Sequence, residues 1–165
     1  MFTKIIMGDL PLSIAISALI KDNKILLIKR KKGDYVGLLG LPGGKIEKGE
    51  HVGEAAVREI LEESGIACEF RNHLGFVSEH LVENGEVSNH FLLHVCELEP
   101  KSAEITAGSE GSVAWFDLGK IEEWKSLLIP SDYLMIKKLV LNHEKNYYDC
   151  VIVKNDADYE IKKFE

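Results

Sequence analysis

The chain lacks a run of apolar residues long enough to cross a bilayer. Its most apolar early stretch, Leu12 to Ile20, is short and broken by Ser13 and Ser17. The N-terminal residues show no basic region followed by a long apolar core, which points away from a secretory leader and from a membrane partner. A basic arm is also missing, and the formal net charge is −7. A nucleic-acid polymer would be repelled at long range, so none is expected as a partner. Cys68, Cys96 and Cys150 are far apart and form no CxxC pair. They read as free, buried or partly buried thiols in a reducing compartment, hence a cytoplasmic protein. No internal repeat, low-complexity tract or linker interrupts the chain.

What is present suits one folded domain over residues 1–165. Hydrophobic residues make up 45% and charged residues 28%, with both signs interspersed. Ile14 to Ile20 and Ile25 to Ile28 read as a hairpin turning at Asp22-Asn23. The stretch Gly33 to Gly49 carries six glycines, Gly33, Gly37, Gly40, Gly43, Gly44 and Gly49, with Pro42 alongside, and predicts a shaped loop. A helix is expected from His51 to Ser64, ended by Gly65. Further strands follow at Gly75 to His80, His90 to Leu98 and Val113 to Phe116, the first two joined at Asn84-Gly85. Ile121 to Leu127 predicts a short helix, and Ser131 an N-cap for a helix from Asp132 to Leu141. Tyr148 to Val153 and Tyr159 to Phe164 predict a C-terminal β-hairpin, either extending the sheet or making a homodimer contact. The result is an α/β chain with a mixed sheet.

Gly43 to Ile66 carries the chemistry. On a helix at about 100° per residue, Gly53, Val57, Ile60, Leu61 and Ser64 share one side, and Arg58, Glu59, Glu62 and Glu63 the other. At about 6 Å and an effective dielectric of about 20, each like pair of carboxylates repels by roughly 2–3 kcal/mol. Only Arg58, one turn before Glu62, relieves this on the helix, and Glu50 adds a fourth acid. Such a face is either an ordinary acidic surface or a hard-cation site, since Mg²⁺ and Mn²⁺ prefer clustered carboxylate oxygens. Gly43-Gly44 favours the second, because a loop without side chains brings backbone carbonyls beside those carboxylates.

These residues resemble the Nudix box, G-x5-E-x7-R-E-U-x-E-E-x-G-U with U aliphatic. Here Gly44, Glu50, Arg58, Glu59, Ile60, Glu62, Glu63, Gly65 and Ile66 match it without departure. A chance match in such a chain is on the order of 10⁻⁷ from average composition. The resemblance implies a Nudix-type α/β/α sandwich over residues 12–141, with the hairpin at 147–164 outside it. It also implies a hydrolase of diphosphate linkages in a small nucleotide, with Glu59, Glu62, Glu63 and the Gly43 carbonyl holding Mg²⁺ (or Mn²⁺). Arg58 and Glu50 would form the ion-paired network that orients these glutamates.

MutT-like members of the family have a further carboxylate near Glu110, as metal ligand or base, with Glu79, Glu83 and Glu86 as competitors. Arg30 resembles their phosphate-contacting arginine, although the basic run Lys29 to Lys32 fits a solvated strand end as well. Gly44 belongs to the same substrate-binding loop. Asp132 matches the position at which MutT-like members read a purine base, or else simply favours the helix dipole. Leu39 stands where relatives often carry a tryptophan, which removes an aromatic lid, and Trp115 and Trp124 read as core residues. A nucleoside triphosphate, cleaved to monophosphate and pyrophosphate, is the leading substrate. ADP-ribose or a nucleotide sugar is the alternative, and a non-catalytic nucleotide-binding regulator the third reading.

Overall fold

Residue alternation and turn chemistry account for most of the sheet. In a computed structural model that describes residues 10–106 and 111–165, β1 (Leu12–Lys21) and β2 (Lys24–Arg30) form the expected hairpin. Asp22 and Asn23 both take positive φ, 50° and 59°, which matches the right-handed twist of the flanking strands. The glycine-rich loop contains two short strands, β3 (Leu39–Gly40) and β4 (Gly43–Lys45). Beyond helix α1 (Val52–Ser64) come two long strands, β5 (Cys68–Glu83) and β6 (Glu86–Pro100), then β7 (Gly111–Asp117). Both long strands outrun their apolar cores because hydrogen bonding continues past them to the Asn84-Gly85 turn.

The sheet runs β3-β2-β1-β6-β5, with β4 paired to β1 and β7 to β2. Its β1–β6 contact is parallel and its β5–β6 contact antiparallel, so the sheet is mixed. The C-terminal hairpin, β8 (Tyr147–Asn155) and β9 (Asp158–Phe164), extends this sheet, because β8 pairs in parallel with β5. Alternation along β1 sends Ala15 and Leu19 to one face, where Ala55, Ala56 and Ile60 of α1 cover them. Ile16 and Ala18 point to the opposite face. There they meet Met135, Ile136 and Leu139, giving helix, sheet and helix in layers.

Two short helices complete the second layer: α2 (Ile121–Trp124), flanked by 3₁₀ turns, and α3 (Pro130–Met135). Ser131 is not the N-cap of α3. Pro130 occupies the first turn, where its missing N–H is not needed, and Ile129 is the cap residue. Past Met135 the chain continues as a π-helical segment to Leu141. Cys68, Cys96 and Cys150 are free and buried. Among the described residues no helix is long and apolar enough to span a membrane.

Candidate active site

Helix α1 begins where Glu54 Oε2 accepts from the His51 N–H at 2.7 Å, and it ends at Gly65, whose φ of 74° lets its N–H reach Leu61 O. Its buried face differs from the simple wheel. Glu59 and Glu63 are buried with Ala55, Ala56, Ile60 and Ser64, whereas Leu61 is 53% exposed. The helix therefore turns two of its acids inward toward the loop and sheet, and the apolar Leu61 outward.

Arg58 ties the loop to the helix. Its Nε and Nη2 donate to Glu50 at 2.7 and 3.0 Å, its Nη1 to Glu59 at 2.7 Å, and its Nη2 to Lys45 O at 3.1 Å. A longer contact, 3.4 Å, reaches the exposed Glu62. The Arg58 guanidinium, with a smaller contribution from the Glu47 N–H, holds the Glu50 carboxyl down at about 2. Hydrogen bonds to Glu50 and Glu59 in turn raise the affinity of Arg58 for its proton.

Gly44 lies against the Glu59 carboxylate so closely that a Cβ there would overlap it. Gly43 lies against the β1 backbone, at Ala15 O and Ile16 Cα. Both glycines and Glu59 line a cavity of about 490 Å³. Arg30 and Asp132 line it too, so the structure brings together five of the residues singled out in the sequence. Glu63 stands in a small adjoining cleft with Lys32 and Arg30, and Arg30 belongs to the walls of both. Glu50 and Glu62 lie outside the cavity, in the Arg58 network, and Glu110 lies outside the described residues. Among the described residues no three Asp, Glu, His or Cys side chains are gathered as a ready coordination shell. The donor set still fits a hard cation: Glu59 is a carboxylate beside a glycine backbone that has no side chain in the way.

Asp132 is 5% exposed, and its Oδ2 accepts from the Leu41 N–H at 2.7 Å. Ile129 N–H bonds Leu39 O at 2.8 Å, stitching the start of α3 to β3 and setting that distance. Burial pushes the Asp132 carboxyl up to about 7; neighbouring Glu79 adds to the rise, while the Leu41 amide and Arg30 oppose it.

The cavity also holds Glu79, which the sequence offered only as a competitor of Glu110, and two contacts escape a linear reading. Glu79 is buried at its wall and accepts from Tyr35 Oη at 2.7 Å. The signal was the strand alternation Val77, Glu79, Leu81, which puts a carboxylate at a core position. The Tyr35 N–H donates to Tyr159 Oη at 3.0 Å with the rings 4.5 Å apart, so β9 buttresses the cavity loop. Asn89 Nδ2 likewise donates to Asp34 at 2.9 Å. Tyr159→Phe keeps the ring contact and removes the acceptor of a part-buried amide. It is expected to lower stability by about 1 kcal/mol, read as a shifted urea midpoint with unchanged slope; no shift would mean that solvent replaces the hydroxyl.

The NUDIX domain model matches residues 11–139. The ADP-ribose pyrophosphatase of Methanocaldococcus jannaschii is 36% identical over 145 residues, 87% of this chain and 75% of that protein. The oxidized purine nucleoside triphosphate hydrolase of Danio rerio is 27% identical over 142 residues, 84% and 89% of the two chains. Among solved structures, the MutT protein of Bacillus halodurans superposes with a TM-score of 0.71 at 20% identity, covering 93% of this chain and 96% of its own. The MutT NUDIX hydrolase of Burkholderia pseudomallei gives 0.67 at 28% identity, with coverages of 79% and 99%. A family model spanning most of the chain and a box intact from Gly44 to Ile66 lead to one conclusion: the chain belongs to the Nudix family, hydrolases that act on pyrophosphate bonds.

Proposed function

We propose that this Nudix hydrolase cleaves a purine nucleoside triphosphate, ordinary or modified, to the monophosphate and pyrophosphate, with Mg²⁺ as its cation. The observation that carries the reading is one cavity containing both Glu59 with Gly43-Gly44 and the buried carboxyl of Asp132. The first set suits a cation and a diphosphate, and the second a nucleobase. Apolar side chains between them, including Ile14, Ile16, Phe91 and Ile129, offer flat walls to a heterocycle.

In this mechanism Glu59, Glu62, Glu63 and the Gly43 carbonyl would hold the cation, with Glu110 proposed as a further ligand or base. A cation held there would supply charge neutralisation of the diphosphate and a lowered pKa for an attacking water. Arg58 and Glu50 keep Glu59 in place through the bonds described above. Arg30, in the walls of both clefts, faces the phosphates, and the Gly44 backbone leaves room for them. Positioning and charge stabilisation then suffice, since the reaction needs little covalent chemistry from the protein.

Asp132 reads the base. Its Oδ2 is held by Leu41, and the carboxyl accepts from a ring N–H of a guanine-type purine. Asp132→Ala is expected to cut the preference for purine over pyrimidine triphosphates by about tenfold, one hydrogen bond's worth. An unchanged ranking of kcat/KM values would remove it from the base pocket.

A diphosphatase acting on ADP-ribose is the second reading, favoured by the 36% identity to the Methanocaldococcus jannaschii protein of that name. Release of phosphate and pyrophosphate from ordinary and oxidised triphosphates, ADP-ribose and nucleotide sugars separates the two. Pyrophosphate from a triphosphate supports the first. Turnover only of bridged diphosphates supports the second, and turnover of neither class would sink both.

A further inference from the structure

Glu79 takes no part in the Arg58 network, yet it is 2% exposed. It lies on β5 between Val77 and Leu81, both fully buried, so strand alternation delivers a carboxyl group to the core. Tyr35 Oη donates to its Oε1 at 2.7 Å, whereas Oε2 makes no such bond among the described residues, although the Ser131 hydroxyl and the Cys150 thiol lie close by. The side chain lines the same cavity as Asp132 and Glu59. A buried oxygen in that state costs on the order of 1–3 kcal/mol if nothing ever satisfies it.

We propose that Glu79 is a specificity-determining residue: as a neutral acid it donates a hydrogen bond from Oε2 to the ring carbonyl of a 6-oxopurine nucleotide. This rests on the purine reading of the cavity and extends it to the group beside Asp132. Because Tyr35 donates to Oε1, that oxygen acts as the acceptor, and the acidic proton belongs on Oε2. Asp132 accepts and Glu79 donates, so the wall complements an edge with a carbonyl next to an N–H. A 6-aminopurine places a donor where Glu79 also donates, and is disfavoured.

The surroundings support the neutral form. Burial is the main influence raising the affinity of Glu79 for its proton, with Asp34 of the same loop as Tyr35 adding to it. The Ser131 and Tyr35 hydroxyls and the Cys150 thiol pull the other way. Glu79 stands close enough to Asp132 to disfavour charge there, and Arg30 partly offsets this. Two such groups titrate as a pair rather than singly. A carboxyl whose proton affinity is raised in the fold keeps its proton to higher pH than a free one and loses it as pH rises further. The donor is therefore lost on the alkaline side.

The test is calorimetric titration of the full chain with GMP, AMP and CMP at pH 7.5, above the range in which Asp132 is mostly protonated. Wild-type protein is expected to prefer GMP. Glu79→Gln places an amide donor at the same position, so it should keep the GMP preference. Glu79→Leu should lose about tenfold for GMP, one hydrogen bond, and leave CMP unchanged. Wild-type GMP binding in Glu79→Leu, or loss of the GMP preference in Glu79→Gln, overturns the role of Glu79. If the wild type binds none of the three, the purine reading itself fails.

Discussion

Replacing Glu59, Glu62 or Glu63 by Gln is expected to lower kcat by about 10²- to 10⁴-fold while the protein stays folded. The substitution keeps shape and removes one negative charge from a site that must hold a cation against a diphosphate, a loss of several kcal/mol at the transition state. Stability should move far less. Glu62 is exposed and its 3.4 Å contact to Arg58 is a surface helix pair, worth only about 0.3–0.5 kcal/mol. Glu59 loses a short ion pair to Arg58, but its removal also relieves repulsion from Glu62 and Glu63 one turn along. Steady-state rates at saturating Mg²⁺, read beside thermal melts, separate the two effects. Near-wild-type turnover in all three variants would refute the assigned metal site.

Gly43→Ala and Gly44→Ala should fail in opposite ways although the residues are adjacent. At Gly43 an added Cβ meets backbone, Ala15 O and Ile16 Cα, on the strand that β4 pairs with. Backbone in a paired strand does not yield, so the β1–β4 contact must open. Overpacking of this kind costs about 1–3 kcal/mol, a fall in Tm of roughly 2–10 °C for a chain of this size. At Gly44 the Cβ meets the carboxylate of Glu59, the far end of a side chain that can swing away. That variant should melt close to wild type and lose activity, because Glu59 leaves its place beside the loop. Comparable Tm losses in both, or full activity in Gly44→Ala, would show that the glycine backbone does not position Glu59.

Much of this site was legible from residue order. The acids of α1 and the loop glycines lie within one stretch from Gly43 to Ile66, and short-range geometry brings them together. Gly65 ended the helix where its chemistry required, and the C-terminal hairpin formed around Asn155-Asp156 as its alternating pattern indicated. A helical wheel went wrong at Leu61, since it ranks residues by apolarity alone. Glu59 is buried against Gly44 of β4 and Glu63 in the cleft at the basic end of β2, and no wheel contains those partners.

The amino-acid sequence by itself determined the family and most of the order of the elements, because each rests on residues close in the chain or on strand and helix periodicity. Only the tertiary structure decided what lies together around the cavity. Glu79, Tyr35, Asp132 and Tyr159 belong to β5, a loop, α3 and β9; resemblance pointed to Asp132 and offered Glu79 as one competitor among several, while Tyr35 and Tyr159 read as ordinary turn and strand residues. Parallel pairing of β8 with β5 and the Ile129–Leu39 hydrogen bond bring Glu79, Tyr35 and Asp132 to the cavity, with Tyr159 against Tyr35. There burial raises the affinity of both carboxyls for a proton. A protonation state set by desolvation depends on what surrounds a group in space, and so it is absent from any reading of its neighbours in sequence.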